Sequence, residues 1–371
     1  LDDVTTTEPL LVMERTSHSI WVNTKALQVA GITAATPNPV GGFIMRNGSG
    51  GSNGVLLDNA GDSLIQMALA SNATIDLANK NGLLNFGLPE MAKNGITSIS
   101  EARTYYKRNY IPIWQQIKAE NKLTVRVVLA PWIYPNDNVA AQIAEIQALY
   151  NSGDSLLKIR QIKVYSDGIL SNTTASLHEP YISNPLNLPL PAYANGLNYV
   201  NQTNLSTYIT QLETLGYDFH IHAIGDSGAT AALNAIQAAR TANGNIGARH
   251  RLTHIELLKQ SDYPRFAALN VTADAQVAGD FSNPSHWPEN NPLIGAARAD
   301  TLIAIKDLYN AGARITLSSD WDVSTLNPFV GMQNALTRAP QEMPNVDEVV
   351  KAYTINGAYV MRQETVTGSL E

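Results

Sequence analysis

The sequence predicts an α/β fold in which parallel strands form a (β/α)8 barrel of the TIM type. From about Gly95 onward, short segments rich in β-branched residues alternate with longer amphipathic segments. Such alternation is typical of a parallel sheet covered by helices. It continues almost regularly to Ser318, which favours a closed barrel over an open sheet. No G-x-G-x-x-G motif follows a strand, so a dinucleotide-binding fold receives no support.

The elements before this alternation are less regular. An apolar run from about Pro9 to Met13 predicts a strand, and Ser17 is expected to cap a helix that follows it. A block rich in glycine and asparagine, Thr36 to Gly54, predicts a hairpin or flap within an insertion of about residues 32–60. Helical periodicity then runs from about Ser63 towards Asn81.

The barrel itself is expected to occupy most of a single domain over residues 1–371. Its strands are predicted at Gly95–Glu101, Thr124–Leu129, Ile159–Tyr165, Asp218–His222, Arg251–Glu256, Asn270–Ala275 and Arg314–Ser318. Its main helices are predicted at Ile111–Glu120, Ala140–Tyr150, Ser206–Thr214, Gly228–Ala242 and Ala299–Ala311. A closed barrel needs eight strands, and we expect the missing one to precede Leu1. The stretch 366–371 reads as the start of a further strand.

The composition limits the function classes. A net charge of -7 and a pI near 5.5 argue against nucleic acid as a partner, because phosphate binding needs a basic surface. No apolar run is long enough to predict a membrane span. The chain contains no cysteine, so any bound metal must use histidine, carboxylate or a modified lysine. The composition does not fix a cellular compartment.

Chemistry-bearing side chains stand at or near the ends of four predicted strands, where barrel enzymes place their active sites. Lys163 lies inside an apolar strand, and a salt bridge at the strand end is the ordinary explanation for it. His220 and His222 share one strand face, which suits either a metal site or a hydrogen-bonded core pair. His254 and Asp320 follow two further strands, and Asp320 alone could equally cap a turn. Taken together, these side chains at the ends of four separate strands have no simple structural explanation.

These residues carry a resemblance to a known family. The chain resembles the amidohydrolase superfamily, in particular amidohydrolase family 3, the YtcJ-like proteins that include N-substituted formamide deformylases. The resemblance covers nearly the whole chain and rests on the segments His18–Leu27, Gly41-Gly42, Lys163–Gly168, His222–Asp226, Arg249–His254 and Ser319–Trp321.

The resemblance implies a barrel that holds one or two divalent metal ions, usually zinc. It implies a carboxylated Lys163, with His222, His254 and Asp320 as the other ligands and Asp320 as general base. His18 is expected near the substrate, whereas His220 and Asp226 are expected beside the ligands. The expected reaction is hydrolysis of a C–N bond in an amide, formamide or cyclic amide. The expected partner is a small-molecule substrate, and a homodimer is left open.

The chain also departs from the family pattern. The family's first barrel strand carries an H-x-H pair, and no H-x-H precedes His220 here, so a metal-poor and inactive chain is expected. A non-catalytic ligand-binding or regulatory protein on the same barrel is therefore the alternative. A glycosidase that pairs Glu101 with Glu256 is a weaker one. The end of the chain, 366–371, would begin the family's accessory β-sandwich.

Two aromatic residues in loops complete the candidate site. Tyr181 follows the strand of Lys163 and is a candidate substrate contact. Trp287, in a proline-rich loop, is another, although a surface position explains it equally well.

Overall fold

The computed structural model describes residues 1–279 and 291–370. Near the start of the chain, four strands form an antiparallel sheet in the order β1-β2-β4-β3. These strands are β1 (Leu11–Met13), β2 (Ser19–Val22), β3 (Gly42–Arg46) and β4 (Ser52–Asp58). The pair β3 and β4 is the hairpin that the turn-rich block predicts.

The helix predicted to start at Ser17 is wrong. Ser17 lies in a turn with φ of 61°, and the next residues form β2. In this strand Ile20 and Val22 are buried while Trp21 is exposed, which is the two-residue period of a half-buried strand. The helix begins only after Asn23, whose side chain accepts a hydrogen bond from the Ala26 amide and so caps it.

Eight parallel segments form the larger part of the fold. They are β5 (Ser98–Thr104), β6 (Arg126–Pro131), β7 (Leu157–Ile159), β8 (Gln161–Tyr165), β9 (Asp218–Ala223), β10 (Arg251–His254), β11 (Thr272–Ala275) and β12 (Arg314–Leu317). The pairing orders are β5-β6-β7 and β8-β9-β10-β11-β12. Only Arg160 separates β7 from β8, and Trp132 after β6 bridges to Lys163 in β8. The two sheets therefore follow one another around one interior.

Counted with β7 and β8 as one interrupted strand, the described residues contain the seven parallel strands that the sequence predicts. Within residues 1–279 and 291–370, β5 pairs only with β6 and β12 pairs only with β11. The pairings therefore leave an interval between β5 and β12.

Fifteen α-helices are found in the described residues. They are α1 (Thr24–Val29), α2 (Asp62–Ala68), α3 (Ala73–Gly82), α4 (Leu88–Lys93), α5 (Tyr110–Ala119), α6 (Val139–Leu149), α7 (Gln202–Leu212), α8 (Asp226–Asn243), α9 (Tyr263–Ala268), α10 (Asn291–Ile294), α11 (Ala296–Ala299), α12 (Ile305–Asn310), α13 (Pro328–Thr337), α14 (Val346–Tyr353) and α15 (Ile355–Val360). Among the described residues, no helix combines the length and apolar character needed to cross a membrane.

Asparagine has a structural use in this chain. Six helices begin after an asparagine whose side chain accepts a hydrogen bond from a backbone amide of the first turn, namely Asn23, Asn72, Asn138, Asn201, Asn327 and Asn345. Such a cap satisfies a helix amide that has no partner within the helix.

The two faces of the parallel strands differ in chemistry. Outward residues such as Ile162, Phe219 and Ile221 are fully buried against the helices and form the main core. Inward residues of the same strands, including Lys163 and His220, are also buried but polar. A residue period of two therefore separates an apolar shell, which stabilises the fold, from a polar interior, which carries the candidate chemistry.

The end of the chain closes the interior rather than starting a new sheet. The backbone carbonyl of Val360 in α15 accepts a hydrogen bond of 2.8 Å from the Gln161 side chain in β8. Residues 364–370 form turns and bends, and the Val366 amide donates to the Gln363 carbonyl. The strand predicted for 366–371 is therefore absent from its described residues.

A buried ionic network fixes β9 and β10 to the helices behind them. Glu213 accepts hydrogen bonds from Arg240 at 2.6 Å, from Asn243 at 2.8 Å and from His250 Nε2 at 2.8 Å. The other ring nitrogen of His250 accepts the Phe219 amide at 2.9 Å. Burial alone raises the pKa of Glu213, but these hydrogen bonds outweigh it and lower the pKa overall.

We expect Glu213→Gln to lower the free energy of unfolding by about 3 kcal/mol, because it removes the carboxylate that pairs with the enclosed Arg240 guanidinium. Glu90→Gln, which removes a solvent-exposed pairing with Lys93, serves as control and should cost less than about 1 kcal/mol. The pKa of Glu213 is lower in the folded protein than in the unfolded chain. Its contribution to the free energy of unfolding should therefore be complete above the pKa of the unfolded chain and disappear as the pH falls through the pKa of the folded protein. Urea denaturation across this acidic range measures both effects, and equal losses in the two variants would contradict the assignment.

Candidate active site

A cavity of about 630 Å³ opens inside the parallel strands. Its lining includes four residues that the sequence singles out, namely Lys163, His220, His254 and Asp320. They come from β8, β9, the end of β10 and the loop after β12. The fold therefore brings the ends of separate strands to one cavity, as the strand-end pattern predicts.

Lys163 is the most unusual of these side chains. It is 3% exposed, and within the described residues its ammonium group forms no hydrogen bond or ion pair. The salt bridge that would ordinarily explain it is absent from that part of the chain. Its Nζ atom lies 5.2 Å from the centroid of the Tyr165 ring. Burial lowers the pKa of Lys163 to about 7, although the Asp320 carboxylate opposes the shift.

His222 has one engaged and one unengaged ring nitrogen. Its Nε2 atom lies 3.0 Å from the Gly168 carbonyl oxygen, to which it can only donate a proton. The Nδ1 atom must then hold a lone pair, and it is buried without a hydrogen-bonding partner. The ring lies 4.4 Å from that of His254 between centroids. Burial first, and then the neighbouring His254, hold the pKa of His222 well below its usual range, so the ring is neutral.

His254 and Asp320 occupy unusual backbone conformations. Their φ angles are 74° and 47°, and Ile255 follows His254 at 47°. A residue other than glycine in this left-handed region costs about 1–3 kcal/mol and persists where the surroundings enforce it, often at functional sites. Burial lowers the pKa of His254 to about 4, so its ring is also neutral near pH 7.

Asp167 holds the two loops on which His222 depends. Its carboxylate accepts the amides of Ser176 at 2.9 Å, Ile224 at 3.0 Å and Gly225 at 2.7 Å. A side chain at Gly225 would meet the Ser176 carbonyl at 2.1 Å, which explains a glycine in this tight contact. Burial raises the pKa of Asp167 to about 7 in spite of these amides.

The small antiparallel sheet brings His18 next to Tyr165 and His222. His18 Nδ1 donates to Asp58 Oδ1 at 2.7 Å, and the Tyr199 hydroxyl donates to the same oxygen at 2.7 Å. The His18 ring stacks on Tyr165 at 5.4 Å and lies 5.3 Å from the His222 ring. Tyr165 in turn stacks on His222 at 4.0 Å. His18 therefore lies beside His222, although neither is among the described residues that line the cavity, and its expected place near the substrate stays a prediction.

The remaining sequence candidates have different surroundings. His220 Nδ1 lies 2.9 Å from Arg251 Nη2, so it accepts a hydrogen bond from that guanidinium. Asp226 accepts the His178 amide at 2.9 Å, and the Tyr181 hydroxyl donates to the Ala175 carbonyl at 3.0 Å. Neither Asp226 nor Tyr181 lines the cavity. Trp287 lies outside the described residues.

The paired-carboxylate alternative gains no support from the cavity. Burial raises the pKa of both Glu101 and Glu256 to about 7. Glu101 lines the cavity, but Glu256 is not part of the described lining.

Two polar residues near the candidate site were not identified from the sequence. Asp274 in β11 is 1% exposed and accepts hydroxyl groups from Thr253 at 2.7 Å, Thr316 at 2.8 Å and Ser318 at 2.9 Å. Arg103 near the end of β5 lies over the Tyr165 ring and donates to the Ser17 hydroxyl at 2.6 Å. The position of Asp274 near the end of a predicted strand, between two alanines, was the available signal for it, whereas nothing local marks Arg103.

The donor set suits a divalent metal ion. The unpartnered Nδ1 of His222, a neutral His254, a lysine whose pKa is near 7 and the Asp320 carboxylate are all ligand types that zinc accepts, the lysine once modified. Among residues 1–279 and 291–370, no three histidine or carboxylate groups stand together closely enough to hold an ion as they are. Side-chain rotation would therefore have to accompany binding.

Comparison with known proteins places this geometry in context. The model of the amidohydrolase family matches residues 1–371. The YtcJ protein of Bacillus subtilis (strain 168), which carries the name of an amidohydrolase, is 28% identical over 389 residues, covering 100% of this chain and 68% of its own length. The N-substituted formamide deformylase of Arthrobacter pascens is 23% identical, again over 100% of this chain and 68% of the relative.

A solved structure shares the fold. An uncharacterized metal-dependent hydrolase from Pyrococcus furiosus superposes with a TM-score of 0.73 at 22% identity, covering 100% of this chain and 71% of that one.

We expect Asp167→Asn to lower the free energy of unfolding by about 2 kcal/mol, because an amide group would face backbone amides that need an acceptor. Amide hydrogen exchange at residues 224 and 225 should become faster in the same variant. Asp226→Asn is the control, since among the described residues the Asp226 carboxylate accepts only one backbone amide, that of His178. This variant should lose less stability and leave exchange at residues 224 and 225 unchanged. Unchanged exchange in Asp167→Asn would refute its role in holding these loops.

Proposed function

The chain belongs to the amidohydrolase family, and from this premise we propose that it is a metal-dependent hydrolase of C–N bonds in amides, formamides or cyclic amides. One observation carries the proposal. Lys163, His254 and Asp320, from three separate strands or the loop after one, line a single cavity, and His222 lies against His254 with a ring nitrogen that has no partner among the described residues. We further propose that the seven strands belong to a (β/α)8 barrel whose eighth strand occupies the interval between β5 and β12.

Lys163, His222, His254 and Asp320 are the residues that would hold the ion, which we propose to be zinc. Bound there, zinc would supply a Lewis acid and lower the pKa of a water molecule towards neutrality. Lys163 can react with carbon dioxide only as the neutral amine, and its pKa near 7 provides a large neutral fraction at neutral pH. The neutral amine adds to carbon dioxide, forms an N–C bond, releases one proton and becomes an anionic carbamate that can serve as a ligand.

Asp320 would act as the general base. Its carboxylate stands at the mouth of the cavity after β12, in a strained backbone conformation that fixes its direction. In the proposed reaction it accepts a proton from the attacking water and returns it to the nitrogen as the C–N bond breaks. The substrate is a small molecule that enters at this mouth.

A non-catalytic, ligand-binding protein on the same fold is the second candidate. The absence of a ready group of three histidine or carboxylate ligands in the described residues favours it. The experiments below separate the two candidates, because a binding protein without the ion should neither retain zinc nor hydrolyse amides.

The missing H-x-H pair led us to expect a metal-poor chain, whereas the proposed ligand set predicts that the purified chain binds zinc. We expect His254→Ala and Lys163→Met each to weaken that binding by about 100-fold or more. Loss of a group that merely supports a ligand already costs about 10–100-fold. His178→Ala is the matched control, since His178 contacts Thr230 away from the cavity, and it should leave affinity unchanged. Calorimetric titration with zinc is the measurement. Equal affinity in all four proteins would eliminate the proposed ligand set.

We expect Asp320→Asn to lower kcat for N-(2-phenylethyl)formamide by about 100-fold or more, because general acid–base catalysis contributes about 100–10,000-fold. Asp322→Asn changes an exposed carboxylate in the same loop and should retain activity. Amine release from the zinc-loaded protein gives kcat and KM for each variant. Full activity in Asp320→Asn would remove it as the base.

A further inference from the structure

Seven asparagines in this chain are followed directly by glycine, namely Asn47, Asn53, Asn81, Asn94, Asn195, Asn243 and Asn356. In such a pair the backbone nitrogen of the glycine can attack the side-chain amide carbon of the asparagine, because glycine has no Cβ that shields its nitrogen. The fold controls this reaction through three groups. They are the glycine N–H that attacks, the asparagine Nδ2 that leaves and the asparagine Oδ1 that gains charge.

The pair Asn47-Gly48 has an attacking nitrogen that the fold does not use. Both residues are exposed in the turn between β3 and β4. The Gly50 amide closes this turn by donating to the Asn47 carbonyl at 2.9 Å, whereas the Gly48 amide donates no hydrogen bond within the described residues. Loss of the Gly48 amide proton therefore breaks no hydrogen bond of the turn.

The Oδ1 atom of Asn47 has the surroundings of an oxyanion site. It accepts the Ser49 amide at 3.1 Å, the Ser49 hydroxyl at 2.7 Å and the Gly51 amide at 3.1 Å. Attack on the amide carbon moves negative charge onto this oxygen, and donors already directed at it stabilise that charge. Asn47 Nδ2 donates no hydrogen bond to residues 1–279 or 291–370. The turn thus holds the oxygen that gains charge and leaves the departing nitrogen unbound.

Four of the other asparagines use Nδ2 to hold the fold together, so departure of ammonia would break a contact. These hydrogen bonds, of 2.8–2.9 Å, run from Asn94 to the Glu90 carbonyl, from Asn195 to the Leu177 carbonyl, from Asn243 to the Glu213 carboxylate and from Asn356 to the Ile315 carbonyl. In three of these pairs the glycine amide is also engaged, since Gly95, Gly196 and Gly244 donate to backbone carbonyls.

The last two pairs lie in regular structure. Asn53 and Gly54 belong to β4, and the Gly54 amide donates to the Ser52 hydroxyl at 3.1 Å. Asn81 and Gly82 are the final residues of α3, where the helix directs the Gly82 N–H towards the preceding turn and away from the Asn81 side chain. Asn47 therefore differs from all six in its surroundings.

We propose that Asn47 is a site of spontaneous deamidation in the folded protein, and that the turn between β3 and β4 promotes the reaction. The Gly48 nitrogen forms a bond to Asn47 Cγ, the Cγ–Nδ2 bond breaks, and the amide proton leaves with Nδ2 as ammonia. Water then opens the cyclic imide at either carbonyl and gives aspartate or isoaspartate. In total, one amide and one water become one carboxylic acid and one ammonia.

The product changes the hairpin and not the candidate active site. A new carboxylate enters the turn in which the Arg46 guanidinium donates to the Gly50 carbonyl at 3.0 Å. Isoaspartate also adds a methylene group to the backbone between β3 and β4. Asp58, which binds His18, stands at the opposite end of β4. The inference is therefore independent of the proposed hydrolysis.

The seven pairs in one sample provide the test. The full chain is incubated in mildly alkaline buffer, where the attacking nitrogen loses its proton more readily, and mass spectrometry of its peptides gives the rate for each asparagine. In the folded protein Asn47 should react at least about tenfold faster than the other six, because a lost hydrogen bond or two costs about that factor. In urea all seven should react at similar rates. An intact Asn47, or a second asparagine that reacts equally fast in the folded protein, would overturn the proposal.

Two variants test the part played by the turn. Ser49→Ala removes one donor to Asn47 Oδ1 and should slow deamidation of the folded protein by about threefold to tenfold, with no change in urea. Gly48→Ala should also slow it, because the added methyl group shields the nitrogen while meeting no atom within 4 Å. Ser52→Ala is the control, since its hydroxyl contacts Gly54 and not Asn47. Circular dichroism shows whether each variant is folded. An unchanged rate in Ser49→Ala, or an equal loss in Ser52→Ala, would refute promotion by the turn.

Discussion

An ammonium group inside a sheet is stable only if hydrogen bonds or counter-charges replace its lost hydration. Lys163 has neither within the described residues, and its pKa falls to about 7 in consequence. The same burial keeps His222 and His254 neutral, since their pKa values also fall. Removal of water from the interior therefore prepares three nitrogen donors at once. An exposed site with the same residues would hold a charged lysine and partly charged histidines, which bind protons instead of metals.

Tyr165 links the interior of the parallel strands to the small antiparallel sheet. Its ring stacks on both His222 and His18, and the Arg103 guanidinium also lies over it. Because His18 directly precedes β2, the small antiparallel sheet places one aromatic side chain against Tyr165 and His222. The interaction of Asp58 with His18 and Tyr199 holds the sheet edge in place. Substrate specificity in this chain is thus expected to depend on a part of the fold outside the parallel strands.

The alternation of short and long segments was sufficient to predict the seven parallel strands, and strand ends were sufficient to select Lys163, His254 and Asp320 for one cavity. The region around Ser17 was mispredicted because His18, Trp21 and Val22 also satisfy a helical period when read with Ala26. The surroundings of Arg103 could not be predicted from sequence, because only the tertiary fold brings the rings of Trp132 and Tyr165 to it. Positive φ angles at His254 and Asp320 likewise depend on surrounding structure.

Stability alone does not explain the polar interior. Apolar residues of similar volume at the positions of Arg251 and Asp274 would avoid the cost of burying charge, and such replacements often leave stability unchanged or higher. Each charge instead forms hydrogen bonds with side chains of other strands. Arg251 donates to Ser100 and Gln161, and Asp274 accepts hydrogen bonds from the surrounding hydroxyl groups. A network of this kind fixes the spacing of strands whose ends carry the candidate ligands. The cavity is lined by buried ionisable side chains at Lys163, Arg251 and Asp274 and by the left-handed backbone of His254 and Asp320. Such departures from the rules of stable folding are expected where chemistry constrains the sequence more tightly than stability does.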